Sequence, residues 1–281
     1  MKILFLILGF SFLFCKSNHS SNTPVQDSKT NTSIKSDDTL EVVKEWDMYY
    51  RGNGFDGCFV LYDLNNNKYK VFNPGRAEMQ FTPASTFKIP NSLIALQEKA
   101  IADENEIIKW DGVDRKNPNW NQDQTLKSAF KYSTVWFYQE LARRVGTKEK
   151  YEEWLEKIRY GNMKTGSKVD DFWLQGDIAI SPYEQIDFLK RFQSNNLPFD
   201  QSVMDKVKGI MLFEEGDGYK IYAKTGWSIR VQPSVGWFVG FVETNDNVYF
   251  FVNNMVVDNE ENIKYRIEIT KDILKAEGII K

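Results

Sequence analysis

The chain has 281 residues, of which 42% are hydrophobic and 27% charged, and a formal net charge of −3. That is the balance of a globular protein with a sizeable core, and it carries no electrostatic footprint for nucleic acid. Two cysteines and one histidine, His19 near the N-terminus, exclude a zinc-ligand cluster, a Ser-His-Asp triad and a Cys-His dyad from the folded part. Acid–base chemistry near neutral pH then falls to Lys, Glu, Asp or Tyr.

In chain order, residues 1–15 come first: Lys2, an apolar run from Ile3 to Phe14, then Cys15. The run is too short to span a bilayer and fits a secretory signal. Cys15 leaves two readings open, a lipidated cysteine anchoring the chain to a membrane or an ordinary signal peptide. Either implies export, with a periplasmic location. Cys58 is left without a disulfide partner. Residues 16–40 are rich in Ser, Asn, Thr, Lys and Asp and read as a disordered linker. The folded domain is expected over residues 41–281.

Val42, Val43, Trp46 and Tyr49 or Tyr50 recur at helical spacing. Gly57 to Asp63 and Lys68 to Phe72 are short strands joined by Asn65-Asn66-Asn67, a hairpin. From about Thr82 to Leu197 the pattern is mostly helical. The segments are Ser85 to Lys99 interrupted by Pro90, Leu126 to Val145 stopped by Gly146, and Lys148 to Ile158. A fourth opens with the capping box Ser181-Pro182-Tyr183-Glu184. The last third turns β-rich: Tyr219 to Ala223, Val235 to Glu243 and Val248 to Val256, the last two joined tightly at Asp246-Asn247. A final amphipathic helix runs from about Glu260 to Glu277. Together these predict an α+β fold: an antiparallel sheet with strands from both termini, flanked by helices, with an inserted all-helical subdomain.

Chemistry starts at Ser85-Thr86-Phe87-Lys88. Residues three apart share a helix face, so the Lys88 amine can meet the Ser85 hydroxyl. Serine needs a base, and lysine serves when desolvation holds its pKa down. The pattern is weak alone, because Ser128-Ala129-Phe130-Lys131 repeats it. Context favours Ser85: it follows Thr82-Pro83-Ala84 at a helix start, where free N–H groups can hold an oxyanion. Ser133-Thr134-Val135 comes next, ahead of Trp136, Phe137 and Tyr138. Lys224-Thr225-Gly226 closes a β-rich run, and a lysine there can hold a carboxylate while glycine permits close approach. Its decoy, Lys164-Thr165-Gly166, lies in a polar loop.

Three weak patterns in this order resemble the penicillin-recognising serine enzymes. Longer stretches sharpen the resemblance. Pro83 to Asn91, Ser133 to Gln139, Tyr160-Gly161-Asn162, Phe172-Trp173-Leu174 and Lys224-Thr225-Gly226-Trp227 look like the boxes of class D (oxacillinase-type) serine β-lactamases. The resemblance runs from about residue 42 to the C-terminus. It implies a β-lactam substrate, no metal and no separate cofactor. It also implies a carbamate, formed from carbon dioxide on Lys88, that takes the Ser85 proton and later activates water. Carbon dioxide reacts only with a neutral amine, so this requires an apolar pocket, with Phe87, Val135 and Leu174 as walls. By the same resemblance Trp173 donates its indole N–H to the carbamate and Ser133 relays a proton to the leaving nitrogen. The backbone N–H groups of Ser85 and Trp227 form the oxyanion hole, Lys224, Thr225 and Gly226 line the edge, and Arg266 binds the substrate carboxylate. Two alternatives stand beside a hydrolase. One is a β-lactam sensor domain that stays acylated. The other is a cell-wall peptidase or transpeptidase, whose second box tends to read Ser-x-Asn where this chain has Val135.

Overall fold

The computed structural model describes residue 34 and residues 36–281. The signal segment with Cys15, and most of the linker, lie outside the described residues. Seven strands form one sheet: β1 (Thr39–Val42), β2 (Gly57–Asp63), β3 (Lys68–Phe72), β4 (Leu212–Gly216), β5 (Tyr219–Trp227), β6 (Val235–Thr244) and β7 (Val248–Val256). Their order is β1-β3-β2-β7-β6-β5-β4, so strands from the two ends of the chain meet where β2 pairs with β7. The sheet is mixed, because β1 runs parallel to β3 while the other ladders are antiparallel. β1 also starts at Thr39, ahead of the boundary expected at 41, and Val42 ends this exposed strand. Helical turns begin only at Lys44 and pass into α1 (Asp47–Tyr50).

Strand periodicity explains why the central strands read as unbroken apolar runs. Cys58, Val60 and Tyr62 of β2 join one core cluster, with Phe250 and Val252 of β7. Their neighbours Phe59, Leu61, Phe251 and Met255 point to the other face and join a second. Both faces are therefore covered. Each fully buried phenylalanine contributes roughly 1.5–3 kcal/mol. The second face is closed by the turn at Lys44–Trp46, by α1 and by α10 (Tyr265–Ala276), through Trp46, Tyr50, Ile269, Ile273 and Leu274.

Between β3 and β4 the chain runs through α2 (Pro74–Ala77), α3 (Lys88–Gln97), α4 (Leu126–Tyr132), α5 (Val135–Val145), α6 (Lys148–Ile158), α7 (Phe172–Gln175), α8 (Pro182–Gln193) and α9 (Gln201–Ile210). Ser181 caps α8 with a reciprocal box: its Oγ accepts from Glu184 N at 3.2 Å, and Glu184 Oε2 accepts from Ser181 N at 2.7 Å. α3 is buried on every side from Lys88 to Leu96, which makes it the central helix. Pro90 does not interrupt it, because in the first turn its missing N–H is one that has no intrahelical acceptor.

The expected helix Leu126–Val145 is two helices. It breaks at Ser133, whose φ of 54° and ψ of 37° are left-handed. No Gly or Pro marks that break, so periodicity alone carries the helix across it. α9 and the edge strand β4 lie beyond the segments foreseen from sequence.

Candidate active site

Ser85 lies in a single 3-10 turn, Ala84–Phe87, that runs directly into α3 with Lys88 as its first residue. Ala84 itself is held at φ 48°, an unfavourable backbone setting for a residue with a Cβ. Three bonds hold this turn. Trp237 Nε1 donates to Thr82 O at 2.9 Å. Thr86 Oγ1 donates to Pro83 O at 2.8 Å and accepts from Gln185 Nε2 at 3.1 Å. The turn places Lys88 Nζ 3.0 Å from Ser85 Oγ, as a donor to it.

The surroundings of Lys88 are almost dry. Its side chain is 1% exposed, and its amine sits 4.9 Å from the centre of the Tyr138 ring. Phe87 behind it stacks on Trp173 at 5.6 Å and meets Tyr160 and Phe172 edge-on. Burial alone pulls the Lys88 pKa down to about 7. Much of the amine is then neutral at physiological pH and can act as a base or nucleophile. Trp173 is fully buried and its indole N–H has no acceptor among the described residues. A buried donor left unpaired is costly.

Ser133 and Lys224 form a second serine–lysine pair, with Lys224 Nζ donating to Ser133 Oγ at 2.5 Å. The break between α4 and α5 explains how: at the left-handed corner the serine side chain is freed from both helices. Lys224 also donates to Thr225 O and Oγ1, at 3.2 and 3.3 Å. Its pKa falls well below the lysine range, first through burial, then through repulsion by Lys88 and Arg266.

A cavity of about 690 Å³ opens onto these groups. Ser85, Ser133, Val135, Leu174, Thr225, Gly226, Trp227 and Arg266 line it. Lys88, Trp173 and Lys224 sit behind that lining. The Gly226 backbone crosses the Ser85 turn so closely that a Cβ would lie 2.9 Å from Pro83 O, which only glycine permits. Arg266 Nη1 donates to Gly226 O at 2.7 Å and fixes the end of β5, while its Nε has no acceptor among the described residues. Partial burial lowers the Arg266 pKa to about 10, so the group stays cationic at neutral pH.

The decoys lie elsewhere. Ser128 is in the first turn of α4, where it forms a capping box with Thr125, and its hydroxyl donates to Gln124 Oε1 at 2.6 Å. It is not inside a long helix, but its hydroxyl is occupied there. Lys164 is exposed, and Thr165 donates to Glu152 at 2.6 Å. The Tyr160-Gly161-Asn162 box has a structural task. Tyr160 accepts from Gln185 at 3.3 Å, and Asn162 holds the segment after α7 through Asp177 O and Ala179 N.

Sequence reasoning missed part of the lining: Arg115, Asn117, Trp120, Ile229 and Arg230. Arg115 is gripped by Asp111 at 2.6 and 2.8 Å and lies over the Trp136 ring. The available signal was the run of Asp and Asn from 111 to 123, in which Asp111, Asp114 and Asn117 accept from backbone N–H groups two residues on.

A serine–lysine nucleophile on a buried helix start, backed by a sheet edge, defines an acyl-transfer enzyme site. The sequence matches the Penicillin binding protein transpeptidase domain family over residues 57–275. It is 46% identical over 225 residues to Probable beta-lactamase YbxI of Bacillus subtilis, covering 80% of this chain and 82% of that one. The structure resembles a class D β-lactamase YbXI from Nostoc with a TM-score of 0.81 at 43% identity, covering 84% of this chain and 99% of that one. It also resembles the C-terminal domain of the BlaR penicillin-receptor of Bacillus licheniformis, with a TM-score of 0.82 at 35% identity, covering 87% and 98%. The chain belongs to the penicillin-binding transpeptidase family, and within it to the class D serine β-lactamases.

Proposed function

We propose that the chain hydrolyses the β-lactam ring of penicillin-type antibiotics through an acyl-enzyme on Ser85, and so confers resistance on its host. The observation that carries this reading is the contact of Lys88 with Ser85 at 3.0 Å inside an apolar pocket. A carbamate on Lys88 supplies a carboxylate base there. Ser85 gives up its proton toward Lys88 as Oγ attacks the lactam carbonyl. The developing oxyanion is held by the backbone N–H groups of Ser85 and Trp227. As the C–N bond breaks, Ser133 passes a proton to the leaving nitrogen and is resupplied through Lys224. Water then attacks the Ser85 ester, giving its proton toward Lys88. Arg266 and Thr225 hold the substrate carboxylate, and Val135 keeps water from Lys88. Export to the periplasm, with or without a lipid on Cys15, belongs to the same reading.

A second reading is a sensor that acylates and stays acylated, favoured by the likeness to the penicillin-receptor domain. Hydrolysis of a chromogenic cephalosporin, with and without bicarbonate, separates the two. Sustained turnover that bicarbonate enhances supports the hydrolase. A stoichiometric burst that then stops, with bicarbonate present, supports the sensor and overturns the hydrolase.

A further inference from the structure

A second cavity, of about 530 Å³, lies on the far side of Lys224, between α4, the end of α9, β4 and β5. Lys127, Lys131 and Lys224 line it, and no acidic side chain does. Lys127 and Lys131 are exposed, share one face of α4, and repel each other. Neither makes an ion pair among the described residues. Nearby lysines do: Lys206 pairs with Glu104 at 3.7 Å and Lys208 with Glu243 at 2.5 Å. Among the described residues Lys127 and Lys131 are thus the cationic side chains of this lining without an ion pair, while burial holds the Lys224 pKa down.

Its other wall is apolar. Leu212 and Phe213, on edge strand β4, are 45% and 44% exposed. The register shifts between Leu212 and Glu214, so Phe213 is the extra residue of a bulge. Bulges at sheet edges re-aim side chains, and this one leaves Phe213 against Phe238 at 5.1 Å. Exposed apolar residues on an edge strand invite aggregation unless something covers them. Cationic walls on one side and apolar walls on the other match one ligand chemistry, and the volume falls within the roughly 300–1,000 Å³ of small-molecule sites.

We propose that this cavity binds an amphiphilic monoanion, an unbranched alkyl carboxylate of medium length. The carboxylate pairs with Lys127 and Lys131 and accepts from the Lys224 amine, and the tail lies against Phe130, Leu212 and Phe213. Lys224 lines this cavity and donates to Ser133 Oγ, which lines the other, so the occupant slows the reaction at Ser85 by drawing Lys224 from Ser133. That effect on turnover rests on the hydrolytic reading above; the binding does not.

Decanoate below its micelle concentration is the probe, with acetate and decyltrimethylammonium as controls. Calorimetry on the full chain reads binding, and cephalosporin turnover is read separately. Decanoate is expected to bind and to lower kcat, while neither control binds. Lys127→Glu with Lys131→Glu, and separately Phe213→Ser, weaken binding by about tenfold or more and leave turnover without decanoate unchanged. Arg266→Ala keeps decanoate binding. Absence of decanoate binding overturns the proposal, and so does equal binding of the ammonium analogue. Loss of binding in Arg266→Ala but not in the lysine variants also overturns it, because the carboxylate then sits in the substrate cavity. Binding with kcat unchanged overturns the coupling. A chain that binds decanoate but turns over no β-lactam keeps the site and refutes only the hydrolase.

Discussion

Lys88 stabilises the reaction at the expense of the fold, and Lys88→Met isolates that cost. Methionine keeps an unbranched chain in the same apolar pocket and cannot carry charge. Burial lowers the Lys88 pKa from 10.5 to about 7. Each unit is worth about 1.36 kcal/mol, so the full penalty approaches roughly 5 kcal/mol. The sign follows from proton binding. Below about pH 7 both native and unfolded chains hold the proton, and the penalty is complete. Between about 7 and 10.5 only the unfolded chain holds it, so native stability rises with pH and the penalty fades. Lys88→Met should therefore gain a few kcal/mol at pH 7, less the lost contact with Ser85, and show little gain at pH 10. The assay is urea unfolding at both pH values in bicarbonate-free buffer, with the m-value as control for compactness. Bicarbonate should then stabilise the parent and not the variant, because carbamate formation favours the native state alone. Equal stability of parent and variant at pH 7, with no difference in pH dependence, refutes the burial reasoning.

Other outcomes follow from the same geometry. Ser133→Ala removes the hydroxyl beside Lys224 and should slow acylation by about 10²-fold or more, measured under single turnover, with the fold unchanged. Trp173→Phe keeps the stack on Phe87 but deletes the unpaired N–H. Nuclear magnetic resonance with ¹³C-bicarbonate should show less Lys88 carbamate, and the bicarbonate needed for half-maximal rate should rise. Gly226→Ala brings a Cβ within 2.9 Å of Pro83 O, so β5 must shift from the Ser85 turn. Its kcat should fall while thermal unfolding moves little, and normal kcat would show that the close approach is not needed.

The fold was legible where periodicity is regular. The β2–β3 hairpin, the capped α8 and the β6–β7 connection at Asp246-Asn247 carry strong local signals, and each formed as read. What escaped depends on tertiary contacts. The helix break at Ser133 has no Gly or Pro, and the partner of its side chain, Lys224, lies 91 residues away in sequence. β1 is too short and exposed to show a pattern, and its parallel pairing with β3 has no local cause. In the site, the motif residues were readable because they are unusual in type and company. Burial decided the rest. Ser85–Lys88 and Ser128–Lys131 look alike as letters, but the first starts the central buried helix and the second caps a short one near the surface. The cavity rim, with Arg115 and Arg230, comes from loops whose positions no spacing rule gives.

Acylation at Ser85 is tested most directly by intact-mass spectrometry of the enzyme quenched during turnover of a slow penicillin, with peptide mapping of the adduct. One substrate mass should appear on Ser85, decay within the turnover time when bicarbonate is present, and persist in Lys88→Ala if it forms there. An adduct on Ser128, or hydrolysis continuing in Ser85→Ala, contradicts the assignment.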